Sequence, residues 1–255
     1  MNWDWFIDKF QRISDIDLSA YKRPQMERRI NSFMRQAGAN DYASFIKLLE
    51  ADKQVYRRFI EHLTINVSEF FRNPRHWDVL QHQIFNRLIK NRLALKVWSA
   101  GCSTGEEPYS LAIMLNEMIP GKFRKILATD IDREVLEKAK AGLFSARAVQ
   151  GVPEPLLKKY FHHDGEGFRV RDKLKSLITF QRHDLLKDRY PLDMDLILCR
   201  NVVIYFTEEA KEKLYGRFAD SLRPGGVLFV GSTEQIFKAG ELGLKSVSTF
   251  FYEKA

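Results

Sequence analysis

Apolar positions follow two different rhythms along this chain. Through residues 3–90 they recur at helical spacing. A first helix is expected over 3–13. In the second, Met26, Ile30, Phe33 and Ala37 fall at i, i+4, i+7 and i+11 and form one buried stripe. Gly38-Ala39-Asn40 breaks that helix. Asp41 can cap a helix over 41–50 through its side chain. Another helix is expected over 55–65, and one opens near Pro74, where the fixed φ of proline suits a first turn.

From residue 93 onward, short apolar runs alternate with helical segments: 93–100, 106–119, 125–130, 132–141, 177–183, 195–200, 207–222, 226–231 and 248–253. This α/β alternation predicts a doubly wound, mostly parallel sheet with helices on both faces. Asp195-Leu-Ile-Leu-Cys199 and Gly226-Val-Leu-Phe-Val-Gly231 are near-continuous apolar runs, as strands buried on both faces require. The stretch 155–176 breaks the rhythm. There Tyr160-Phe-His-His, Asp164-Gly-Glu-Gly167 and Phe168-Arg-Val-Arg171 predict a small antiparallel β insert. The chain therefore reads as an N-terminal all-helical domain over 1–80 and an α/β domain over 90–255.

Composition narrows the class. Its 255 residues give room for one α/β domain and a smaller module. Hydrophobic content of 45% and charged content of 29% are those of a soluble globular protein. No apolar run approaches about 20 residues, so no membrane insertion is expected. No basic segment leads an apolar core at the N-terminus, so no secretory signal is expected. Cys102 and Cys199, each expected at the end of a strand, cannot make a disulfide framework, and two reduced thiols suit a cytoplasmic protein. The six histidines have no ligand spacing, and no metal is expected.

The formal charge of +8 is unevenly spread. Residues 1–92 hold 16 Lys and Arg against 11 Asp and Glu, a net of +5. Much of it lies on the second helix. Arg28 and Arg35 fall opposite the apolar stripe, and Lys22 and Arg29 flank it. Such a face suits nucleic acid, an anionic membrane or an acidic protein, and is equally the pattern of a solvated surface.

The chemistry concentrates after the strand at 93–100. A turn containing Gly101 and Gly105 leads into a helix, and a second strand ends on Asp130. This layout lets an adenosine lie against the backbone at a helix N-terminus, with an acidic residue about 20 positions on to bind the ribose hydroxyls. Glu106 and Glu107 open the helix and would repel a pyrophosphate. They would accept a cation. S-adenosylmethionine carries a sulfonium and an ammonium but no phosphate, and fits this turn better than a nicotinamide dinucleotide. Other polar residues fall at the C-terminal ends of later strands, where a doubly wound sheet binds ligands. These are Asp184 with Leu185, for the adenine edge, and Arg200 with Asn201.

Three segments carry a family resemblance: Asn66-Val-Ser-Glu-Phe-Phe-Arg72, Gly105-Glu-Glu-Pro-Tyr-Ser110 and Cys199-Arg-Asn-Val-Val-Ile-Tyr-Phe206. With the order of elements they resemble the chemotaxis receptor methyltransferases (the CheR family) over essentially the whole chain. The resemblance implies a Rossmann-like class I methyltransferase domain behind a helical receptor-recognition domain. It also implies methyl transfer from S-adenosylmethionine to glutamate side chains of the chemoreceptor cytoplasmic helical bundle, in chemotactic adaptation. Carried onto this sequence, the cofactor contacts are Asn66, Ser68, Arg72, Gly101, Glu106 or Glu107, Asp130, Asp184, Leu185, Arg200 and Asn201. Arg72 and Tyr205 stand near the transferring methyl, and Lys22, Arg28, Arg29 and Arg35 face the receptor. Ser68 stands where many members have threonine, which keeps the hydroxyl. The segment joining the two strands of the insert is shorter than in members that grip a receptor C-terminal peptide there.

Two rival readings are a nucleic-acid methyltransferase and a non-catalytic adaptor. Against the first, Asn201-Val-Val-Ile-Tyr205 lacks the prolines of an N-P-P-Y segment that grips a flipped base, and neither cysteine follows a proline. Against the second, Arg72, Asp130 and Tyr205 are all present. No nucleic-acid partner is expected, and a monomer is.

Overall fold

A computed structural model describes residues 1–64, 68–89 and 94–255. The chain divides into two compact units, one of Met1–Asn66 with Tyr205–Lys213, the other of Val67–Ile204 with Leu214–Ala255.

The first unit is helical: α1 (Trp3–Ser14), α2 (Arg23–Gln36), α3 (Tyr42–Ala51) and α4 (Lys53–Leu63). Side chains close the starts of α1, α3 and α4. Asn2 caps α1, Asp41 forms a reciprocal box with Ser44 at α3, and Asp52 accepts from the N–H groups of Gln54 and Val55 at α4. The core is aromatic. Phe6, Phe10, Phe45 and Phe59 are fully buried, and Phe59 meets Phe45 edge-on at 4.9 Å and Phe10 at 5.3 Å. Rings prefer this edge-to-face contact because the positive edge of one faces the negative face of the other. On α2 the buried stripe is Met26, Ile30, Phe33 and Met34. Ala37, expected in that stripe, is instead the half-buried C-cap, because the helix ends one residue earlier, at Gln36. The later segment joins this unit through backbone. Thr207 N–H donates to the Ala20 carbonyl at 2.8 Å, Lys22 N–H to that of Tyr205 at 2.9 Å, and the rings of Tyr21 and Phe206 lie 4.6 Å apart.

The second unit carries the sheet. A helix at 74–88 opens it, running from α5 (Pro74–Val79) through a π-helical stretch into α6 (Phe85–Leu88). Then follow β1 (Val97–Ala100), α7 (Glu106–Met118), β2 (Ile126–Asp130), α8 (Arg133–Ala141), β3 (Leu143–Ser145), α9 (Glu154–Tyr160), β4 (Phe161–Asp164), β5 (Gly167–Val170), α10 (Asp172–Lys175), β6 (Ile178–Arg182), β7 (Met194–Cys199), α11 (Glu208–Ser221), β8 (Leu222–Val230), β9 (Leu244–Ser248) and β10 (Phe251–Lys254). The main sheet has the order β6-β2-β1-β7-β8-β10-β9. The first five strands are parallel, and β10 runs antiparallel to β8 and β9. Every residue of β1 and β7 is buried, the consequence of helices covering both faces. The expected doubly wound fold is therefore present. Its order reverses at β1, which pairs with β2 on one side and β7 on the other, and a ligand crevice opens beyond the strand ends at such a point.

Three expectations need correction. The single strand at 248–253 is a hairpin, β9 and β10. Its turn contains Phe250 at φ 68° and no glycine or proline to announce it, and β9 is a half-exposed edge strand with little apolar pattern. The insert is a three-stranded sheet, β3-β5-β4, because the three-residue strand β3 joins the expected hairpin. Cys102 lies in the turn after β1 rather than in the strand.

Truncating the centre of the helical core tests its packing. Phe45→Ala should cost about 3–5 kcal/mol in denaturant unfolding, the scale for deleting a buried aromatic ring. A loss below about 1 kcal/mol would show that the site collapses around the cavity.

Candidate active site

Strand β1 ends at Ala100, and the chain turns at once. The N–H groups of Gly101 and Cys102 both donate to the Thr129 carbonyl on β2, at 2.8 and 2.9 Å. Gly101 has φ 79°, and a Cβ there would stand 2.4 Å from Val202 Cγ2, so only glycine fits. Gly105, at φ 101°, caps α7. Asp130, the last residue of β2, fastens this turn. Its Oδ2 accepts from Ser103 N–H at 2.8 Å and its Oδ1 from Asp132 N–H at 3.0 Å. Burial pushes the Asp130 carboxyl up to about 6, and the backbone donors only partly offset it.

The two glutamates at the start of α7 are held differently. Glu106 Oε2 accepts from the Thr104 hydroxyl at 2.7 Å. Glu107 reaches under β1, where Oε1 accepts from the Ser99 hydroxyl at 2.8 Å and Oε2 faces Arg200 Nη1 at 3.3 Å. Burial raises the Glu107 carboxyl, opposed chiefly by the charge of Arg200 and also by that of Arg72. The Arg200 guanidinium is almost wholly buried. Its Nη2 donates to the Arg72 carbonyl at 2.9 Å and to Asn73 Oδ1 at 3.1 Å, and it lies 4.6 Å over the Phe229 ring. Its Nε has no partner. Burial lowers its pKa, with Glu107 pulling the other way. Arg72, Arg200 and Glu107 thus gather beside the glycine turn, and Glu234 also acts on Arg200.

The segment carrying Arg72 is pinned from several sides. Phe70 packs edge-on against Phe144 and Phe161 of the small sheet, at 4.9 and 5.4 Å. Phe71 takes φ 52°, and its N–H donates to Ser110 Oγ at 3.0 Å. Trp77 Nε1 donates to the Arg72 carbonyl at 3.0 Å. Ser68 is half-buried, and Asn66 lies outside the described residues.

After β6, Asp184 accepts from Leu186 N–H through Oδ1 at 2.8 Å, while its buried Oδ2 has no partner. The Leu185 carbonyl is taken by the Tyr190 hydroxyl at 2.9 Å and by Arg217 Nη1 at 2.5 Å. Asn201 stands at φ 60° directly after Arg200. Glu234, which the sequence reading passed over, holds that turn: its Oε2 accepts from Asn201 N–H at 2.7 Å. The signal was present, since Glu234 follows a buried strand just as Arg200 does. Gly101, Glu106, Glu107, Asp130, Arg72, Arg200 and Asn201 are thereby linked through shared backbone and side-chain contacts within one unit. Among the described residues, no group of three or more His, Cys, Asp and Glu is placed to hold a metal ion.

The remaining expected residues belong to the helical unit. Arg28 and Arg35 are exposed. Lys22 pairs with Glu208 at 3.5 Å. Arg29, expected to flank the stripe, is half-buried: its Nη2 donates to the His62 carbonyl, and burial lowers its pKa. Tyr205 is half-buried.

Comparison with known proteins agrees with this geometry. Residues 66–249 match the family described as CheR methyltransferase, SAM binding domain. Residues 1–64 match CheR methyltransferase, all-alpha domain. The chain is 43% identical over 251 residues to the chemotaxis protein methyltransferase of Listeria innocua, covering 98% of this chain and 96% of that one. It is 37% identical over 237 residues to the protein of the same name from Salmonella typhimurium, covering 88% and 80%. To that of Escherichia coli it is 36% identical over 244 residues, covering 88% and 83%. With an all-helical unit, a doubly wound sheet and a glycine turn fastened by Asp130, the chain belongs to the CheR methyltransferase family.

Proposed function

We propose that this protein transfers the methyl group of S-adenosylmethionine to glutamate side chains of chemoreceptors, forming methyl esters. The observation that carries the reading is the cluster of Arg72, Glu107 and Arg200 beside a turn built on Gly101 and Asp130. Family membership supports it, as do the printed names of the relatives.

The residues suit the cofactor. Gly101 keeps the turn free of a side chain, and Asp130 takes the ribose hydroxyls with lone pairs that its two backbone donors leave over. The unpartnered Asp184 Oδ2 takes the adenine amine, with Leu185 beside it. The unpartnered Arg200 Nε, together with Arg72, Asn201, Asn66 and Ser68, holds the amino-acid end, the two guanidiniums suiting its carboxylate. Glu107, whose carboxylate lies within that cluster, faces its cationic groups, and Glu106 supports the turn through Thr104.

When bound, S-adenosylmethionine supplies a methyl on a sulfonium, an electrophile that needs no further activation. A glutamate acceptor has an unperturbed pKa near 4.3 and is already ionised at neutral pH, so no general base is required. Two opposite charges become a neutral ester and a neutral thioether, so a water-poor site favours the transition state over the solvated ions. The protein's task is alignment at about 3–3.5 Å. Arg72 orients charge beside the cofactor. The assignment of Tyr205 to the acceptor oxygen rests on its motif alone. Arg28 and Arg35, exposed on α2, meet the acidic receptor helices, with Lys22 and Arg29 contributing where their present partners allow.

Methyl-labelled cofactor and a receptor cytoplasmic fragment should give a product that releases labelled methanol in mild alkali. Alkali-stable label would point to an amine or nucleobase acceptor and overturn the reading. Cofactor affinity should fall as pH drops through about 6, because protonation removes the Asp130 anion that accepts the ribose hydroxyls. Calorimetry on Asp130→Asn should show affinity reduced about tenfold and that pH step gone. Turnover on receptor should fall steeply between low and high salt, and replacing Arg28 and Arg35 with Gln should flatten the dependence.

A further inference from the structure

Strand β7 ends at Cys199, and the chain then reverses through Arg200, Asn201 and Val202 toward the single turn at Val203–Tyr205. A reversal of this kind leaves several backbone N–H groups outside both sheet and helix, and each needs an acceptor. Glu234 supplies it. Its Oε2 accepts from the N–H groups of Asn201 and Gly231, both at 2.7 Å, and its Oε1 from that of Ile204 at 3.3 Å. The carboxylate is buried and is held by backbone donors. It is also fixed from behind. Glu234 N–H donates to the Gly231 carbonyl at 3.0 Å, and the Tyr215 hydroxyl to the Glu234 carbonyl at 3.2 Å. Gly231 is cut to this fit, since a Cβ there would meet Glu234 Oε2 at 2.5 Å and Asn201 N at 2.8 Å. The next residue of the held turn, Val202, is the side chain that closes on Gly101.

We propose that Glu234 is a positioning residue for cofactor binding, acting through the backbone of 201–204 to set Arg200, Asn201 and the Val202–Gly101 contact. The assignment rests on the methyltransferase reading and deepens it. The carboxylate has no role in the chemistry. It fixes a left-handed Asn201 and thereby the direction in which the Arg200 side chain leaves the strand.

Two unrelated perturbations test this on the full chain. Glu234→Gln puts an amide donor where an acceptor is needed, and Gly231→Ala drives the intact carboxylate from its place. Both should raise the Kd for S-adenosylmethionine about tenfold or more, the scale of a charge-assisted hydrogen-bond set. Their KM for a receptor fragment should stay at the wild-type value, a split that general loosening would not give. Phe45→Ala, a destabilising change in the helical unit, is the control: its melting temperature should fall while cofactor affinity is kept. If the Gln variant does not fold, Glu234→Asp, one methylene too short, should show the same loss. Affinity within about twofold of wild type in the Glu234 and Gly231 variants would overturn the assignment, as would an equal loss in Phe45→Ala. A wild-type chain that binds no S-adenosylmethionine would overturn the underlying reading, and the assignment with it.

Discussion

The buried pair of Arg200 and Glu107 is the interaction on which the second unit's site depends. One guanidinium joins the end of β7, the first turn of α7 and the carbonyl of Arg72. Its side chain is 2% exposed, so the charge has left water and its partners must compensate. Removing either member of such a pair strands the other, at a cost of about 3–5 kcal/mol, far above that of a surface ion pair. Burial raises the acid and lowers the base, and each partly restores the other. The aromatic ring of Phe229 beneath Arg200 adds an apolar floor that a lysine could not use as well.

This explains why glycine and acidic side chains alternate around the site. At the point where the strand order reverses, loops from β1, β2 and β7 meet without regular hydrogen bonding. Their backbone donors are gathered by carboxylates instead: Asp130 takes Ser103 and Asp132, and Glu234 takes Gly231, Asn201 and Ile204. Carboxylates buried in this way resist ionisation, and the N–H groups recover part of the loss. The same residues therefore shape the loops.

The helical unit is built on another principle. Its core is packed phenylalanines, and Asn2, Asp41 and Asp52 close the starts of α1, α3 and α4. Its basic surface is less uniform than its composition. Arg28 and Arg35 are exposed, Lys22 faces Glu208, and Arg29 turns inward to the His62 carbonyl.

By itself the sequence determined the helices and the parallel strands, because both depend on local periodicity. Met26, Ile30 and Phe33 mark a helix face, and the unbroken apolar run of β7 marks a strand covered on both sides. It also determined the turn at Gly101 and the acid at Asp130, whose spacing belongs to one βαβ unit. The hairpin of β9 and β10 and the short strand β3 were settled by pairing with distant partners, since edge strands carry little apolar pattern of their own. So were the inward turn of Arg29, the capture of Arg200 by Glu107, and the gathering of backbone donors by Glu234. Arg29 to His62, Arg200 to Glu107 and Glu234 to Asn201 each join residues about 30 or more positions apart. No local rule specifies such contacts, because they exist only once distant elements of each unit have packed together.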